Sequence, residues 1–303
     1  MSRLAVWSLR LALFSLMATF IAIVVVRSGA LEIKPALATL AGALLLAVVA
    51  ILLALAAGVG IWREGYGGMR YAVGAALVGL ALIAYPAYEA AKARRLPQIY
   101  DITTDPIDPP QFDVLAKLRP RGANPIRYEG LAAADLQAAA YPDIEADETT
   151  ATPKEAFDAA MKIIAKRRWR VVNARPPRAP ATGRAADAQA SADPAEADGV
   201  IEAVAHSLIL GFPEDVVVRI RTTTDGTRID ARSASRYGRT DLGSNAQRIG
   251  DLLGDVDDLL SGPQQEAPEP AAPPERKPAR PNGNSGHGLG QGVTLANPSK
   301  RRR

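Results

Sequence analysis

The spacing of apolar and polar positions divides the chain into three unlike stretches. Residues 11–26, 35–62 and 71–88 are uncharged runs of 16, 28 and 18 residues, separated by short polar breaks. A bilayer's hydrocarbon core takes roughly 20 residues of apolar helix. The pattern therefore predicts about three transmembrane α-helices, the first completed by Arg10 and Trp7 at the interface. Trp62, Tyr66, Tyr71, Tyr85 and Tyr88 fall at the ends of these runs, where aromatic rings favour the headgroup level. Ser28-Gly29-Ala30 offers small residues for signal cleavage, but Arg27 is close and the apolar run is long, which favours a retained span.

Beyond Pro97 the pattern becomes that of a water-soluble domain. Asp105-Pro106 and Asp108-Pro109-Pro110 are turn signals, and residues 99–141 read as irregular chain leading away from the membrane. Thr152-Pro153-Lys154-Glu155 is a helix start: Thr152 caps, Pro153 fits the first turn and Glu155 completes a capping box. Phe157, Ala160, Met161 and Ile164 then share one face, and Lys166-Arg167-Arg168 closes the helix. Residues 169–173 read as a short strand. Residues 176–198 lack periodicity and read as a flexible insertion.

Three strands follow, over 200–210, 215–222 and 227–235, with Asp225-Gly226 as the hairpin turn between the last two. Ser244-Asn245-Ala246-Gln247 reads as a second capping box. Behind it Ile249, Leu252, Leu253, Val256, Leu259 and Leu260 form an apolar stripe. The expected architecture is a membrane anchor over 1–96, a small α+β domain with an antiparallel sheet over 97–261, and a Pro/Gly-rich tail over 262–303 with a basic end.

Charge changes the picture in one respect. The three stretches carry net charges of +6, −6 and +4. The folded domain is acidic although the whole chain is basic, so nucleic acid is not an expected partner. The positive-inside rule gives little direction. Arg3, Arg10, Arg63 and Arg70 lie on one side, and Arg27, Lys34, Lys92, Arg94 and Arg95 on the other. There is no cysteine, which removes disulfides, thiolate metal sites and a Cys nucleophile.

The run Tyr100-Asp101-Ile102-Thr103-Thr104-Asp105 with Pro109-Pro110, Trp169-Arg170-Val171-Val172, and residues 211–220 carry a resemblance. So, most specifically, does the run 230–249, which contains Arg232-Ser233-Ala234-Ser235-Arg236-Tyr237-Gly238. Together they resemble the bacterial domain of unknown function 1499 family over roughly residues 98–260. Pro213-Glu214, where a second acidic residue beside Asp215 would be expected, and the insertion after Pro176 are departures. The resemblance implies fold and boundaries but no activity. The three spans make a multi-pass protein of the inner membrane. Lys92, Arg94 and Arg95 after the third span favour a cytoplasmic domain, whereas the resemblance implies the extracytoplasmic, periplasmic side, since such proteins often carry export signals, and that side is the expected one.

Motifs for catalysis are lacking. His206 sits in a strand pattern and His287 in the tail, and no metal, cofactor or phosphate-loop spacing is present. One polar cluster remains. Strand alternation puts Asp230, Arg232 and Arg236 on one face, with Arg219 on the neighbouring strand and Arg239, Asp241 and Asn245 at the turn into the last helix. Arginines near a helix start suit a phosphate or carboxylate. The same arginines can equally pair with Asp215, Asp230 and Asp241 and simply fix the hairpin against the helix. The expected function is a membrane-tethered, non-enzymatic module that binds a partner protein or an anionic ligand near the lipid surface. The alternative is a hydrolase or transferase acting on a membrane-derived phosphorylated substrate, with Asp241 or Asp215 as base.

Overall fold

The computed structural model describes residues 1–29, 31–178 and 197–262. The core of the predicted insertion, the tail with its basic end, His287 and the last residue of the small-residue cleavage signal lie outside the described residues.

Three long helices open the chain: α1 (Arg3–Ser28), α2 (Ile33–Glu64) and α3 (Met69–Ala93). All three are long and apolar enough to cross a membrane. Their packing suits lipid rather than water. The buried positions are small: Ala5, Ala12, Ala47, Ala50 and Ala75 are wholly or almost wholly enclosed, while Phe20, Leu52 and Leu77 face outward. Without a hydrophobic drive between helices in lipid, small residues that let backbones approach and polar links between helices do the holding. Ser15 supplies one such link, donating to the Ala43 carbonyl at 2.7 Å. Gly79 lets α3 come close to α2, since a Cβ there would stand 2.5 Å from the Ile51 side chain. Left-handed glycines end α1 (Gly29, φ 63) and α2 (Gly65, φ 70).

The domain that follows is one antiparallel sheet: β1 (Asp101–Thr103), β2 (Asp147–Thr149), β3 (Arg170–Arg175), β4 (Gly199–His206), β5 (Pro213–Thr222) and β6 (Thr227–Ser235). The order is β1-β6-β5-β4-β3, with β2 also on β6. β1 and β2 lie end to end along that edge, opposite residues 232–234 and 227–229. The hairpin falls where Asp225-Gly226 predicts it, with Thr222 facing Thr227. The predicted strand over 200–210 is shorter, because Ser207 accepts from the Phe212 amide through its hydroxyl and Gly211 takes φ 67, turning the chain.

Among the described residues, four helices accompany the sheet: α4 (Val114–Leu118), α5 (Leu131–Ala140), α6 (Pro153–Lys166) and α7 (Ser244–Ser261). α6 has the predicted capping box at Thr152 and Glu155. The second capping box does not form. Gly243 is the N-cap, and the Ser244 hydroxyl turns to Glu214 instead. The Asp241 carboxylate takes over, accepting from the Gly243 and Asn245 amides at 3.0 and 2.9 Å. The stretch 99–141 is also more regular than expected, since it holds β1, α4 and α5.

Alternation along the strands makes two unlike faces. One carries Ile201, Ala203, Val216, Val218, Ile220, Ile229 and Ala231 and packs under α6 and α7 as the main core. The other mixes Val204, Val217 and Ala234 with buried charge and is roofed by residues around Phe112, Leu115 and Ile126.

Candidate functional site

The charged face explains why the chain between the membrane and α6 lies where it does. Glu202, wholly buried on β4, accepts from the Val114 and Leu115 amides at 3.0 and 2.8 Å and so caps α4 from below. Arg232, 1% exposed, holds the Asp101 carboxylate through two bonds of 2.9 and 2.6 Å. It also donates to the carbonyls of Pro110 and Ile126, at 3.0 and 2.8 Å. Its guanidinium lies over Phe112 at 4.7 Å and Tyr128 at 5.6 Å from the ring centres. Four of the five guanidinium N–H groups are thus taken within the protein.

The other cluster members are engaged in the same way. Arg236 binds Asp215 at 2.9 and 2.7 Å, and Arg119 binds the second Asp215 oxygen at 2.7 Å. Arg219 reaches Asp230, Asp105 and Asp108, with Arg221 bridging the same three carboxylates. Arg239 is exposed and joins none of these pairs. Asn245 lies on the opposite face of the sheet, where it accepts from Ser233 and donates to Ser235 and the Tyr100 carbonyl. The structure thus brings Arg219, Arg232 and Arg236 onto one face with Asp215 and Asp230, and separates Arg239, Asp241 and Asn245 from them. Arg236 takes the expected partner Asp215. Arg232 takes Asp101, which sequence spacing does not connect to it.

Burial acts on two of the carboxylates, Asp101 and Asp241. Asp101 is pushed up by loss of solvent, an effect opposed by the hydrogen bond and charge of Arg232. Asp241 is likewise raised by burial, opposed by the backbone N–H groups of Gly243 and Asn245. Asp215 is closed off from solvent between two arginines and Asp241 is committed to its cap. Neither has the access to a substrate proton that a base requires.

Above this scaffold the loop between α4 and α5 forms an open depression of about 450 Å³, lined by Tyr100, Pro125, Arg127, Tyr128, Glu129 and Gly130. Sequence reasoning missed it. Among the described residues, five buried side-chain polar atoms have no hydrogen-bond partner, and two belong to residues lining this depression: the Tyr100 and Tyr128 hydroxyls. Glu129 lies close enough to act on both phenols without meeting hydrogen-bond geometry. Both phenols are pushed up to about 12, first by burial, so they remain neutral O–H donors. Native proteins leave few buried donors unmatched, and each unmatched one costs free energy. The only sequence signals were Tyr100 inside the conspicuous 100–105 run and Tyr128 beside two charges.

A family model described as a protein of unknown function, DUF1499, matches residues 101–256, just over half of the chain. The chain belongs to the DUF1499 family. Neither the curated proteins nor the solved structures offer a match. The DUF1499 match runs from β1 into α7, including Asp101, Arg232, Tyr128 and the loop before it, and leaves α1–α3 and Tyr100 outside. Among the described residues, no group of His, Asp and Glu has the arrangement of a metal site.

Proposed function

We propose that this DUF1499 chain is a membrane-tethered, non-enzymatic binding module. Its ligand is anionic or rich in acceptors, and it is held at the Tyr100–Tyr128 depression on the extracytoplasmic side of the inner membrane. One observation carries the reading: two buried tyrosine hydroxyls without an acceptor belong to residues that line one open depression. A phosphate or carboxylate brings several lone pairs to such donors, and Arg127 at the rim adds positive charge. The arginine cluster beneath then serves as the rigid floor, because its donors are already matched. Catalysis finds no support in Asp215 or Asp241, and the depression holds no paired acid and base beyond Glu129.

The test uses the full chain in detergent and follows thermal unfolding with inorganic phosphate, glycerol 3-phosphate and citrate as probes. Ligand at 100 times its dissociation constant stabilises by about 2.7 kcal/mol. The double variant Tyr100→Phe with Tyr128→Phe should unfold near the wild-type temperature without ligand, since its missing hydroxyls bonded nothing. It should also lose the stabilisation. Equal stabilisation of both proteins, or none by any probe in the wild type, rejects this site.

A further inference from the structure

The turn between β4 and β5 carries a hydrophobic tip that the domain itself does not cover. Leu208 is 91% exposed and Ile209 37% exposed, with Leu210 beside them in the chain, and the turn is bonded to the end of α1. The position is fixed by Arg27, in the last turn of α1, directly after the apolar run that ends at Val26. Its guanidinium donates to the Leu208 and Ile209 carbonyls at 2.5 and 3.0 Å. A Cβ on Gly211 would stand 3.1 Å from the Arg27 side chain, so the loop lies directly against the helix end. α2 begins and α3 ends on this same side, since the three helices alternate in direction.

The loop is also prepared for a medium poor in water. Its backbone groups are largely satisfied within the protein: Ser207 N–H donates to Phe212, Gly211 N–H to Ser207, and Phe212 N–H to the Ser207 hydroxyl. Together with the two carbonyls bonded to Arg27, this removes much of the cost that irregular backbone meets near hydrocarbon. An exposed leucine tip in an otherwise acidic, soluble domain would be a liability facing water, but not at a bilayer surface. Arg27, Lys34, Lys92, Arg94 and Arg95 surround this level of the anchor and suit anionic headgroups.

We propose that the β4–β5 loop inserts Leu208, Ile209 and Leu210 into the near layer, on the domain's side, of the same bilayer that α1–α3 cross. It forms a fourth membrane contact that fixes the domain's orientation on the surface. This proposal is independent of the ligand reading: the tyrosine depression can fail and the loop still insert.

The chain has no cysteine, so single-site spin labelling needs no background substitutions. Labels at Leu208→Cys, Leu210→Cys, Leu52→Cys and Thr224→Cys are compared in the full chain, reconstituted in vesicles of phosphatidylcholine with phosphatidylglycerol. Leu52 faces outward on α2, and Thr224 lies at the far end of β5, about 30 Å along the strand from the loop. Insertion predicts that labels at 208 and 210 collide readily with oxygen and poorly with a water-soluble nickel chelate, as the label at 52 does. Nickel accessibility at both positions equal to that at 224 overturns the proposal. The two positions guard against a label that disturbs the tip at one of them.

Discussion

Removing one partner of the Arg232–Asp101 pair should reveal how much of the domain rests on it. Both side chains are essentially enclosed, at 1% and 2% exposure, and are joined by two bonds of 2.9 and 2.6 Å. Asp101→Asn keeps the shape but leaves a buried guanidinium facing a neutral amide. Breaking such a buried pair costs about 3–5 kcal/mol, because a charge stays behind without its counterpart. Arg232→Met leaves the carboxylate instead, and also removes two carbonyl contacts and the stacking on Phe112 and Tyr128, the latter about 2 kcal/mol when desolvated. Asp101 is already raised by burial, and without Arg232 it rises further. The folded state of Arg232→Met then binds a proton more tightly than the unfolded state. Its destabilisation is therefore largest at high pH and shrinks as pH falls toward the raised value. The double variant should lose less than the sum of the singles, with a coupling of about 1–3 kcal/mol. Pulse proteolysis of the full chain in detergent across a urea series gives all four stabilities. Single variants that each cost less than about 1 kcal/mol, and that add, would refute a structural role for the pair.

Two further outcomes follow from the same geometry. Gly226 has φ 151, and a Cβ there would meet the Thr149 carbonyl at 2.2 Å, so Gly226→Ala must displace β2. It should cost more than about 1 kcal/mol and speed proteolysis between residues 141 and 152, whereas wild-type cleavage would deny the β2–β6 contact. His206 is held below its ordinary value by burial first, then by the charges of Arg170, Arg236 and Arg27. The unfolded state takes its proton more readily, so His206 contributes stability at neutral pH that is lost as pH falls below about 6.5 toward its lowered folded value. His206→Gln should flatten the difference in urea midpoint between pH 7.5 and 5.5, and an unchanged slope would contradict the assignment.

Local signals in the sequence proved legible where one short segment decides its own structure. The capping box at Thr152, the hairpin at Asp225-Gly226 and the face shared by Asp230, Arg232 and Arg236 are such cases. What escaped depends on distant partners. Asp101 lies 131 residues from Arg232, and nothing in their spacing announces the pair. Ser244 carries the pattern of a cap, yet Glu214 on β5 competes for its hydroxyl and Asp241 captures the helix start. α5 is rich in alanine and has no apolar stripe to betray it. It is fixed by Gln137, whose amide serves Thr103 as a strand partner would. The tyrosine depression arises only when residues 100 and 128 are folded onto one floor.

The proposed tether of three spans delivers the DUF1499 domain to the side of the membrane opposite the α2–α3 turn. The most direct measurement places single cysteines at Glu32, Tyr66 and Thr224 and treats intact bacterial cells with a membrane-impermeant maleimide, before and after lysis. The account predicts labelling of Glu32→Cys and Thr224→Cys in intact cells, and of Tyr66→Cys only after lysis. Labelling of Tyr66→Cys alone in intact cells would reverse the orientation, and joint labelling of Tyr66→Cys and Thr224→Cys would contradict the three-span tether itself.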